Sequence, residues 1–300
     1  MGKSVLVIGS SCVDVIIRVE RLPRTEECVH PESQHFSVGG CAYNVANILG
    51  RGGADTVFVT PVGLKGVFGP YVLGKLRTQP WCRPVELTEE ENGCCYCLVE
   101  AGGERTFLSV HGAEYTFSPE WMIPYRDRRF DYTYFCGLET EEKTGEALTG
   151  WLENASRGTL LYAPGPRGAR VPKDRTERLL RLHPILHLNR SEALQMGRAE
   201  DVTRAMRNLR SETGNTVIVT LGPDGALLLD GPDAPAHVPG VSVPRVEDTI
   251  GAGDAHAGAV LLALSRGENM LRAVEFANRV AAEAVTQAGA TLTDDRILRP

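Results

Sequence analysis

Short apolar runs alternate with stretches of helical periodicity along most of the chain. Runs typical of buried strands lie at 5–9, 55–62, 159–163, 185–189, 216–221 and 226–230. Apolar residues at helical spacing lie at 42–49, 141–154, 191–196, 201–212, 253–265 and 273–285. Strands that alternate with helices predict an α/β fold, in which a mostly parallel sheet has helices on both faces.

Two stretches interrupt this alternation and predict a small second sheet. Residues 13–38 and 91–113 have β-type patterns without a helix, and the GGE segment at 102–104 is typical of a hairpin turn. We expect both stretches to be inserted into a single domain that spans residues 1–300. The small sheet would act as a lid over an active site, as a dimer-forming flap, or as both.

Composition and charge exclude several classes of protein. Of the 300 residues, 42% are hydrophobic and 23% are charged, which is an ordinary globular balance. The net charge of -6 gives no electrostatic reason to bind nucleic acid or an anionic membrane. No apolar run approaches the ~20 residues of a membrane span, and the run at 5–8 is too short for a secretory signal. We therefore expect a cytoplasmic protein.

The eight cysteines are too dilute for a disulfide scaffold, so we expect free thiols. Cys94 and Cys97 have a CxxC spacing, but on a strand their side chains would face opposite sides. We interpret them as apolar strand residues rather than as a metal or redox pair.

The strongest chemical signal is the segment DTIGAGD at residues 248–254, which precedes an apolar helix. A glycine-rich turn that opens a helix offers free backbone N–H groups to an anion. Asp254 would then be a general base that accepts the proton of a hydroxyl group while the turn binds phosphoryl oxygens. Taken alone, the segment is explained equally well by an ordinary glycine-rich turn with an aspartate at a helix N-terminus.

A second signal is compatible with a site for a polyhydroxylated ligand. Gly39-Gly40 lets a ligand approach the backbone, and Asn44 can both donate to and accept from a hydroxyl. Asp14, just past the first strand, can accept from two neighbouring hydroxyls. An ordinary turn with an exposed Asn and a solvated Asp also explains these residues.

Two further segments are compatible with nucleotide binding. In NRSE at 189–192, Glu192 can hold a Mg²⁺-bound water or simply belong to the first turn of a helix. TLGPDG at 220–225 can line a nucleotide pocket or form a hairpin turn. No P-loop and no GxGxxG segment accompany them. A phosphoryl-transfer hypothesis therefore depends on residues 248–254.

In order and spacing, these motifs resemble the PfkB carbohydrate kinase family, the ribokinase-like kinases, over essentially the whole chain. The resemblance is carried by GGCAYNVANILGRGGA at 39–54, GERTF at 103–107, LNRSEA at 188–193, TLGPDGA at 220–226 and DTIGAGDAHAGA at 248–259. The sequence is most similar to uncharacterised bacterial sugar kinases within the family. The resemblance implies a three-layer α/β/α sandwich with a β-sheet lid, and ATP-dependent phosphorylation of a sugar hydroxyl.

The resemblance also implies roles for individual residues. Asp254 would be the catalytic base, and the anion hole would be formed by Gly251, Ala252 and Gly253. The sugar would be bound by Asp14, Gly39, Gly40, Asn44 and Glu139. The ATP site would be lined by Asn189, Thr220, Gly222, Gly225 and Asn278. Glu192 would organise Mg²⁺ through water, and Asp248 with Ile250 would border a site for a monovalent cation such as K⁺, which some members use.

Departures from the family pattern leave the sugar open. Cys41 stands where ribokinases carry Lys, and Glu114 stands where they carry Asn, which puts ribose specificity in doubt. His256 is explained by packing or by substrate contact. His111 and Arg105, in or near the lid, could face the substrate, although a solvated edge fits Arg105 better.

Two other functions stay open at this point. A nucleoside kinase of the same fold would need an apolar or aromatic wall, for which Tyr43, Phe107 and Tyr115 are available, although lid packing explains them equally well. A non-catalytic sugar or nucleotide sensor would be expected to lack Asp254 or a glycine of the hole, and all are present. Because proteins normally cover exposed sheet edges, we expect a homodimer through the small sheet.

Overall fold

Two β-sheets organise the chain in this computed structural model, which describes residues 2–155, 158–287, 289–292 and 294–299. In chain order the strands are β1 (Ser4–Ile8), β2 (Cys12–Arg18), β3 (Ser33–Gly39), β4 (Asp55–Lys65), β5 (Cys82–Glu91), β6 (Cys94–Val99), β7 (Arg105–Val110), β8 (Tyr132–Cys136), β9 (Thr159–Ala163), β10 (Ile185–Asn189), β11 (Val217–Thr220), β12 (Ala226–Leu229) and β13 (Ala236–Val238). The α-helices are α1 (Cys41–Arg51), α2 (Phe68–Leu76), α3 (Gly137–Glu141), α4 (Gly145–Asn154), α5 (Lys173–Leu180), α6 (Arg190–Met196), α7 (Val202–Thr213), α8 (Ala252–Ser265) and α9 (Met270–Ala284). Short 3₁₀ helices lie at Ala113–Tyr115, Pro119–Tyr125, Gly168–Arg170, Gly222–Asp224 and Arg296–Leu298. Among the described residues, no helix has the length and apolar character needed to cross a membrane.

The large sheet has nine strands in the order β13-β12-β11-β10-β9-β8-β1-β4-β5. β1 pairs in parallel with β4 and β8, and parallel pairing continues outwards to β5 and to β11. At one edge, β12 and β13 pair antiparallel. The sheet is therefore mostly parallel, as predicted.

Helices cover both faces of this sheet. Successive residues of a strand point to opposite sides, so a strand that is apolar throughout has an apolar face on each side to bury. On β1, Val5 and Val7 belong to the core cluster that includes residues of α1, α2, α8 and α9. Leu6 and Ile8 belong to the other cluster, which includes residues of α4, α5, α6 and α7. This arrangement confirms the prediction of a three-layer α/β/α sandwich.

The small sheet has the order β3-β2-β6-β7, and its strands come from the two stretches that interrupted the alternation. β6 and β7 form the hairpin expected around Gly103, whose φ is +89°. Cys94 and Cys97 lie on β6 in different apolar clusters, so they face opposite sides of the sheet. All eight cysteines are free thiols.

The sequence pattern does not predict α2, α5, β5 or β8, and it predicts one helix at 141–154 where the structure has α3 and α4. β8 is five residues long and buried throughout, so it has no alternation of apolar and polar residues. Between α3 and α4 the chain is extended at Glu142, with ψ 168°. The Arg175 guanidinium donates to the carbonyls of Thr140 and Glu142 there, a contact of α5 that no local pattern reveals.

Candidate active site

The predicted site residues gather where the parallel strands of the large sheet end. Ser10 follows β1, Glu139 follows β8, Glu192 follows β10 and Thr220 ends β11. The N–H of Tyr43 donates to Ser10 O at 3.2 Å, which brings the start of α1 to the same edge. Ligands of parallel α/β sheets bind outside the carboxyl ends of the strands, so this edge is where the topology leads us to expect a site.

The chain enters α8 through a tight turn at Gly251, whose φ of +72° favours glycine. A Cβ at this position would lie 2.7 Å from Ala290 Cβ, so the turn is also closely packed. At Gly253, a Cβ would meet open space. The N–H of Ala252 lies 3.3 Å from Thr249 O, a long contact. First-turn N–H groups have no partner within their helix, so this turn offers them to an anion.

Close packing of α1 against α8 brings Asn44 to Asp254. A Cβ at Gly258 would lie 2.9 Å from Ile48 Cβ, so this glycine permits the approach of the two helices. Asn44 Nδ2 donates to Asp254 Oδ2 at 2.8 Å. Asn44 Oδ1 is buried and has no partner among the described residues. A buried polar atom in this state is expected to meet water or a ligand.

Burial dominates the electrostatics of Asp254. It raises the pKa of this carboxyl to about 6, although hydrogen bonds from Asn44 and Cys41 lower it, and the charges of Glu139 and Glu192 add to the rise. At neutral pH the carboxyl is still mainly ionised. A carboxylate whose pKa lies near the working pH is suited to accept a proton from an alcohol.

Asp14 lies on β2 of the small sheet, directly against Gly39. A Cβ at residue 39 would overlap the Asp14 carboxylate, and a Cβ at Gly40, whose φ is +104°, would lie 2.8 Å from Ser10 O. Burial raises the pKa of Asp14 to about 7, and the charges of Asp254 and Asp248 add to this rise. The structure thus brings Asp14, Gly39 and Gly40 into the neighbourhood of Asp254.

Two cavities that share Thr220 and Gly253 lie at this edge of the sheet. The smaller, of about 130 Å³, has Asp254, Asn189 and Glu192 in its wall. The larger, of about 470 Å³, is mainly apolar. Its wall includes the remaining residues predicted to bind ATP, and two residues of the α8 turn, namely Gly222, Gly225, Asn278, Ala252 and Gly253.

Two side chains that the sequence did not single out as functional also line the smaller cavity. Cys41 starts α1 and hydrogen-bonds to Asp254. Tyr134 is fully buried, and its hydroxyl has no partner among the described residues. Tyr134 belongs to β8, which the sequence pattern did not predict, whereas Cys41 is visible in the sequence as the position next to Gly39-Gly40.

Glu192 lines the smaller cavity and also caps the start of α6. Its carboxylate accepts from Asn189 N at 2.9 Å and Asn189 Nδ2 at 2.8 Å, while Asn189 Oδ1 accepts from Glu192 N, which forms a capping box at the start of α6. Burial raises the pKa of Glu192. In the part of the chain that the structure describes, no group of three or more His, Cys, Asp or Glu could hold a metal ion.

Glu139 lies beneath the site rather than in its wall. It is 1% exposed, its Oε1 accepts from Ser10 N at 2.7 Å, and Cys136 Sγ donates to its Oε2 at 2.6 Å. Like Asp14, Gly39, Gly40 and Asn44, it lines neither of the two cavities. Its contacts position the chain that follows β1, and its direct contact with sugar stays a prediction.

His256 is buried, lines the larger cavity, and has both ring nitrogens hydrogen-bonded. Its Nδ1 lies 2.8 Å from His187 Nε2, and its Nε2 lies 3.1 Å from Asn278 Oδ1. Asn278 Nδ2 donates to the carbonyls of Val238 and Pro239, so Oδ1 is left to accept from His256. Burial lowers the pKa of both histidines, which keeps them neutral.

Arg105 is not at a solvated edge. Its side chain is 16% exposed, and Nη2 lies 2.9 Å from Asp248 Oδ1, which joins the small sheet to the loop before Gly251. His111 Nδ1 lies 2.5 Å from Glu142 Oε1, so this side chain is also engaged. Neither Arg105 nor His111 lines the two cavities.

A glycine-rich turn at a helix start with an adjacent carboxylate, beside an apolar cavity, is the arrangement expected of a phosphotransferase that acts on an alcohol. The chain belongs to the pfkB family of carbohydrate kinases, whose model matches residues 2–296. Over 291 residues it is 32% identical to the uncharacterized sugar kinase YegV of Escherichia coli (strain K12), an alignment that covers 96% of this chain and 90% of that protein. The predicted family and kinase activity are confirmed.

Solved structures share the fold over nearly the whole chain. The ribokinase of Thermotoga maritima superposes with a TM-score of 0.83 at 22% identity, covering 96% of this chain and 94% of its own. The adenosine kinase of Sinorhizobium meliloti superposes with a TM-score of 0.84 at 21% identity, covering 98% and 97%. Because one fold serves both, the architecture does not by itself separate a sugar from a nucleoside acceptor.

Proposed function

We propose that this carbohydrate kinase transfers the terminal phosphoryl group of ATP to a hydroxyl of an uncharged sugar, with Asp254 as the base. The observation that carries the proposal is the 2.8 Å hydrogen bond between Asn44 Nδ2 and Asp254 Oδ2, next to the turn that opens α8. This bond holds the carboxylate, while the unpaired Asn44 Oδ1 is available to a substrate hydroxyl. Base and anion-binding turn are adjacent in the chain, so a hydroxyl and a phosphoryl group would meet between them.

The chemistry follows from this arrangement. Asp254 accepts the hydroxyl proton as the new O–P bond forms, and the bond from the terminal phosphorus to the bridging oxygen breaks to release ADP. The N–H groups at Gly251–Gly253 stabilise the charge of the phosphoryl oxygens. Most of the rate enhancement would come from this positioning and preorganised charge.

The larger cavity would hold the nucleotide. Its apolar wall suits a purine ring, and Thr220 and Gly253 link it to the cavity that contains Asp254. Asn278 donates to two backbone carbonyls, so it would shape the wall of the cavity. Glu192 would hold Mg²⁺ through water. That ion, when bound, neutralises phosphate charge.

The acceptor side favours an uncharged sugar over a sugar acid or a sugar phosphate. The carboxyl groups of Asp14, Asp254 and Glu139 lie at or beneath it, and Cys41 stands where ribokinases carry Lys. Burial and the charges of Asp254 and Asp248 raise the pKa of Asp14 to about 7. A further negative charge on the substrate would add to this repulsion.

A nucleoside acceptor is less well supported, because two of the three candidate aromatic side chains are engaged elsewhere. Tyr43 is 7% exposed and packs in the core with Trp81 and Phe58, at 6.2 and 6.4 Å between ring centroids. Tyr115 is also 7% exposed and packs against His111 at 4.3 Å. Phe107, which is 52% exposed on the small sheet, is left as the single candidate of the three.

The small sheet would serve both as a lid and as a dimer interface. As a lid it would exclude water, which otherwise competes with the sugar as phosphoryl acceptor. Its face opposite to Asp14 carries Phe36, Leu108 and Val110, which are 50%, 58% and 56% exposed. A second copy of the chain would cover these apolar side chains, so the proposal includes a homodimer.

A substrate screen that measures ADP formation tests the proposal. The panel contains uncharged sugars and polyols, their acid and phosphate derivatives, and nucleosides, each with ATP and Mg²⁺. We expect the highest kcat/KM for an uncharged sugar. Highest activity with a nucleoside or an anionic sugar would contradict the acceptor class, and an absence of ADP formation with every acceptor would contradict the activity.

A further inference from the structure

Both carboxylate oxygens of Asp248, the residue expected to border a cation site, are already occupied. Oδ1 accepts from Ile250 N at 2.8 Å and pairs with Arg105 Nη2 at 2.9 Å. Oδ2 accepts from Gly289 N at 3.0 Å. The Asp248 side chain is 5% exposed, so solvent contributes little to neutralising it. Its counter-charge is supplied by the chain itself.

Arg105 holds the segment before the anion-binding turn at two points. In addition to the ion pair with Asp248, its Nη1 donates to Thr249 Oγ1 at 2.8 Å. The planar guanidinium can make both contacts at once because its donors form a rigid fork. Arg105 starts β7, so these contacts fix the segment relative to the small sheet.

Other residues of the small sheet support the same segment. The strand register aligns Arg18, Val99 and Arg105 across one face of the sheet. Val99 belongs to a cluster against which Ile250 packs, and Arg18 Nη2 lies 3.8 Å from Glu247 Oε1. The Arg18 side chain is 38% exposed, so this outer pair is expected to contribute little.

We propose that the Arg105 guanidinium replaces the monovalent cation in this protein, so that closure of the small sheet, and not binding of K⁺, organises the turn at Gly251–Gly253. Only the kinetic test of this inference depends on the proposed function; the thermal test does not. A K⁺ ion beside the same carboxylate would be repelled by the guanidinium, which is charged at every physiological pH. The residues present therefore do not fit the cation that the family resemblance implies.

With Arg105 in place of the cation, the position of the small sheet is coupled to the active site. If the sheet moved away, Asp248 would keep the N–H groups of Ile250 and Gly289 but would lose its counter-charge. Removing one partner of a buried pair leaves an uncompensated charge and is strongly unfavourable. The phosphate-binding turn is thus expected to reach its working geometry when the sheet is closed, which makes Arg105 a positioning residue.

The test compares the unaltered protein with Arg105→Gln in K⁺ and in choline at constant ionic strength. We expect ADP formation by the unaltered protein to change by less than about twofold between the two cations. Arg105→Gln should lower kcat by about 10- to 100-fold in choline, and K⁺ should restore part of the loss because Asp248 is then free to bind it. In thermal unfolding, K⁺ should raise the Tm of the variant and leave that of the unaltered protein unchanged.

Arg18→Gln is the matched control, since Arg18 is the other arginine aligned with Val99 on this face of the small sheet. It should change neither kcat nor the response to K⁺. Strong activation of the unaltered protein by K⁺ would overturn the proposal, as would an Arg105→Gln variant with unchanged kcat. The measurement on the unaltered protein decides the point even if the variant does not fold. If no acceptor yields ADP, the proposed function fails, whereas the thermal comparison still decides this inference.

Discussion

Asn44 of α1 and Asp254 of α8 are joined by a hydrogen bond of 2.8 Å that spans two packed helices. The helices approach at Gly258, where a Cβ would lie 2.9 Å from Ile48 Cβ. The direction of the carboxylate is therefore set by the packing of the core, and no loop has to fold over it. A base held in this way needs little reorganisation during the reaction, which is the condition for efficient electrostatic catalysis.

Replacement of the base separates its chemical role from its role in binding. Asp254→Asn keeps the shape of the side chain but cannot accept a proton, so we expect kcat to fall by about 10³-fold. Binding of a non-hydrolysable ATP analogue, measured by calorimetry, should be retained. The exposed Asp233→Asn is the control and should have normal turnover. Turnover of Asp254→Asn close to that of the unaltered protein would refute the assignment.

The same variant should be more stable than the unaltered protein at high pH. The pKa of Asp254 is about 6, above the ordinary value for an aspartate, so the folded protein binds this proton more tightly than the unfolded chain does. That contribution to stability is present at low pH and is lost as the pH rises through about 6. Asp254→Asn should therefore raise Tm by about 2–4 °C at pH 8 and by less at pH 5. Equal gains at both pH values in differential scanning calorimetry would contradict this explanation.

The pH dependence of turnover provides an independent measurement of the base. Activity should fall on the acid side with a midpoint between the pKa values of about 6 for Asp254 and about 7 for Asp14. Because the hydrogen bond from Asn44 lowers the pKa of Asp254, Asn44→Ala should move this acid limb to higher pH. A limb that stays in place or moves to lower pH in a pH–rate profile would show that Asn44 does not act on the base.

Two of the glycines with open surroundings, Gly253 and Gly150, allow a test of the anion-binding turn without a change in folding. At both Gly253 and Gly150 a Cβ would meet nothing within 4 Å, and neither residue has a positive φ. Alanine should therefore be tolerated at either position, and at Gly150, inside α4, it should stabilise by about 0.5–1 kcal/mol. Gly253→Ala places a methyl group where the phosphate would approach, so kcat/KM should fall by about 10- to 100-fold. Equal activity of the two variants would contradict phosphate binding at this turn.

Short sequence motifs were sufficient to predict the parts of the site that are formed by residues close together in the chain. The DTIGAGD segment predicted the start of α8, because a glycine-rich turn before an apolar run has few alternatives. NRSE likewise predicted the start of α6, where Glu192 both completes the capping box and lines the cavity. Of the two explanations left open by the sequence, the helix start is confirmed, and the contact of Glu192 with a Mg²⁺-bound water stays a prediction.

Contacts between distant residues were beyond the sequence pattern. Arg105 and Asp248 are 143 positions apart, and nothing along β7 indicates that its first side chain meets a buried carboxylate. Tyr43 lies on α1, which is buried on all sides from Ala42 to Leu49, so periodicity cannot tell which face meets the ligand. Glu139 had the residue type of a sugar ligand, but its first-turn position in α3 directs it to Ser10 N.

The face of the small sheet opposite to Asp14 leads to a specific prediction about assembly. Leu108 is 58% exposed beside Val110 on β7, and a charge placed there would be buried in a dimer without a partner. Leu108→Glu should therefore convert a dimer into a monomer in size-exclusion chromatography with light scattering. Val67→Glu is the control, because Val67 is 76% exposed but lies next to α2 and outside the small sheet. A monomeric unaltered protein, or a Leu108→Glu variant that stays dimeric, would exclude this face as the interface, and the sheet would then act as a lid alone.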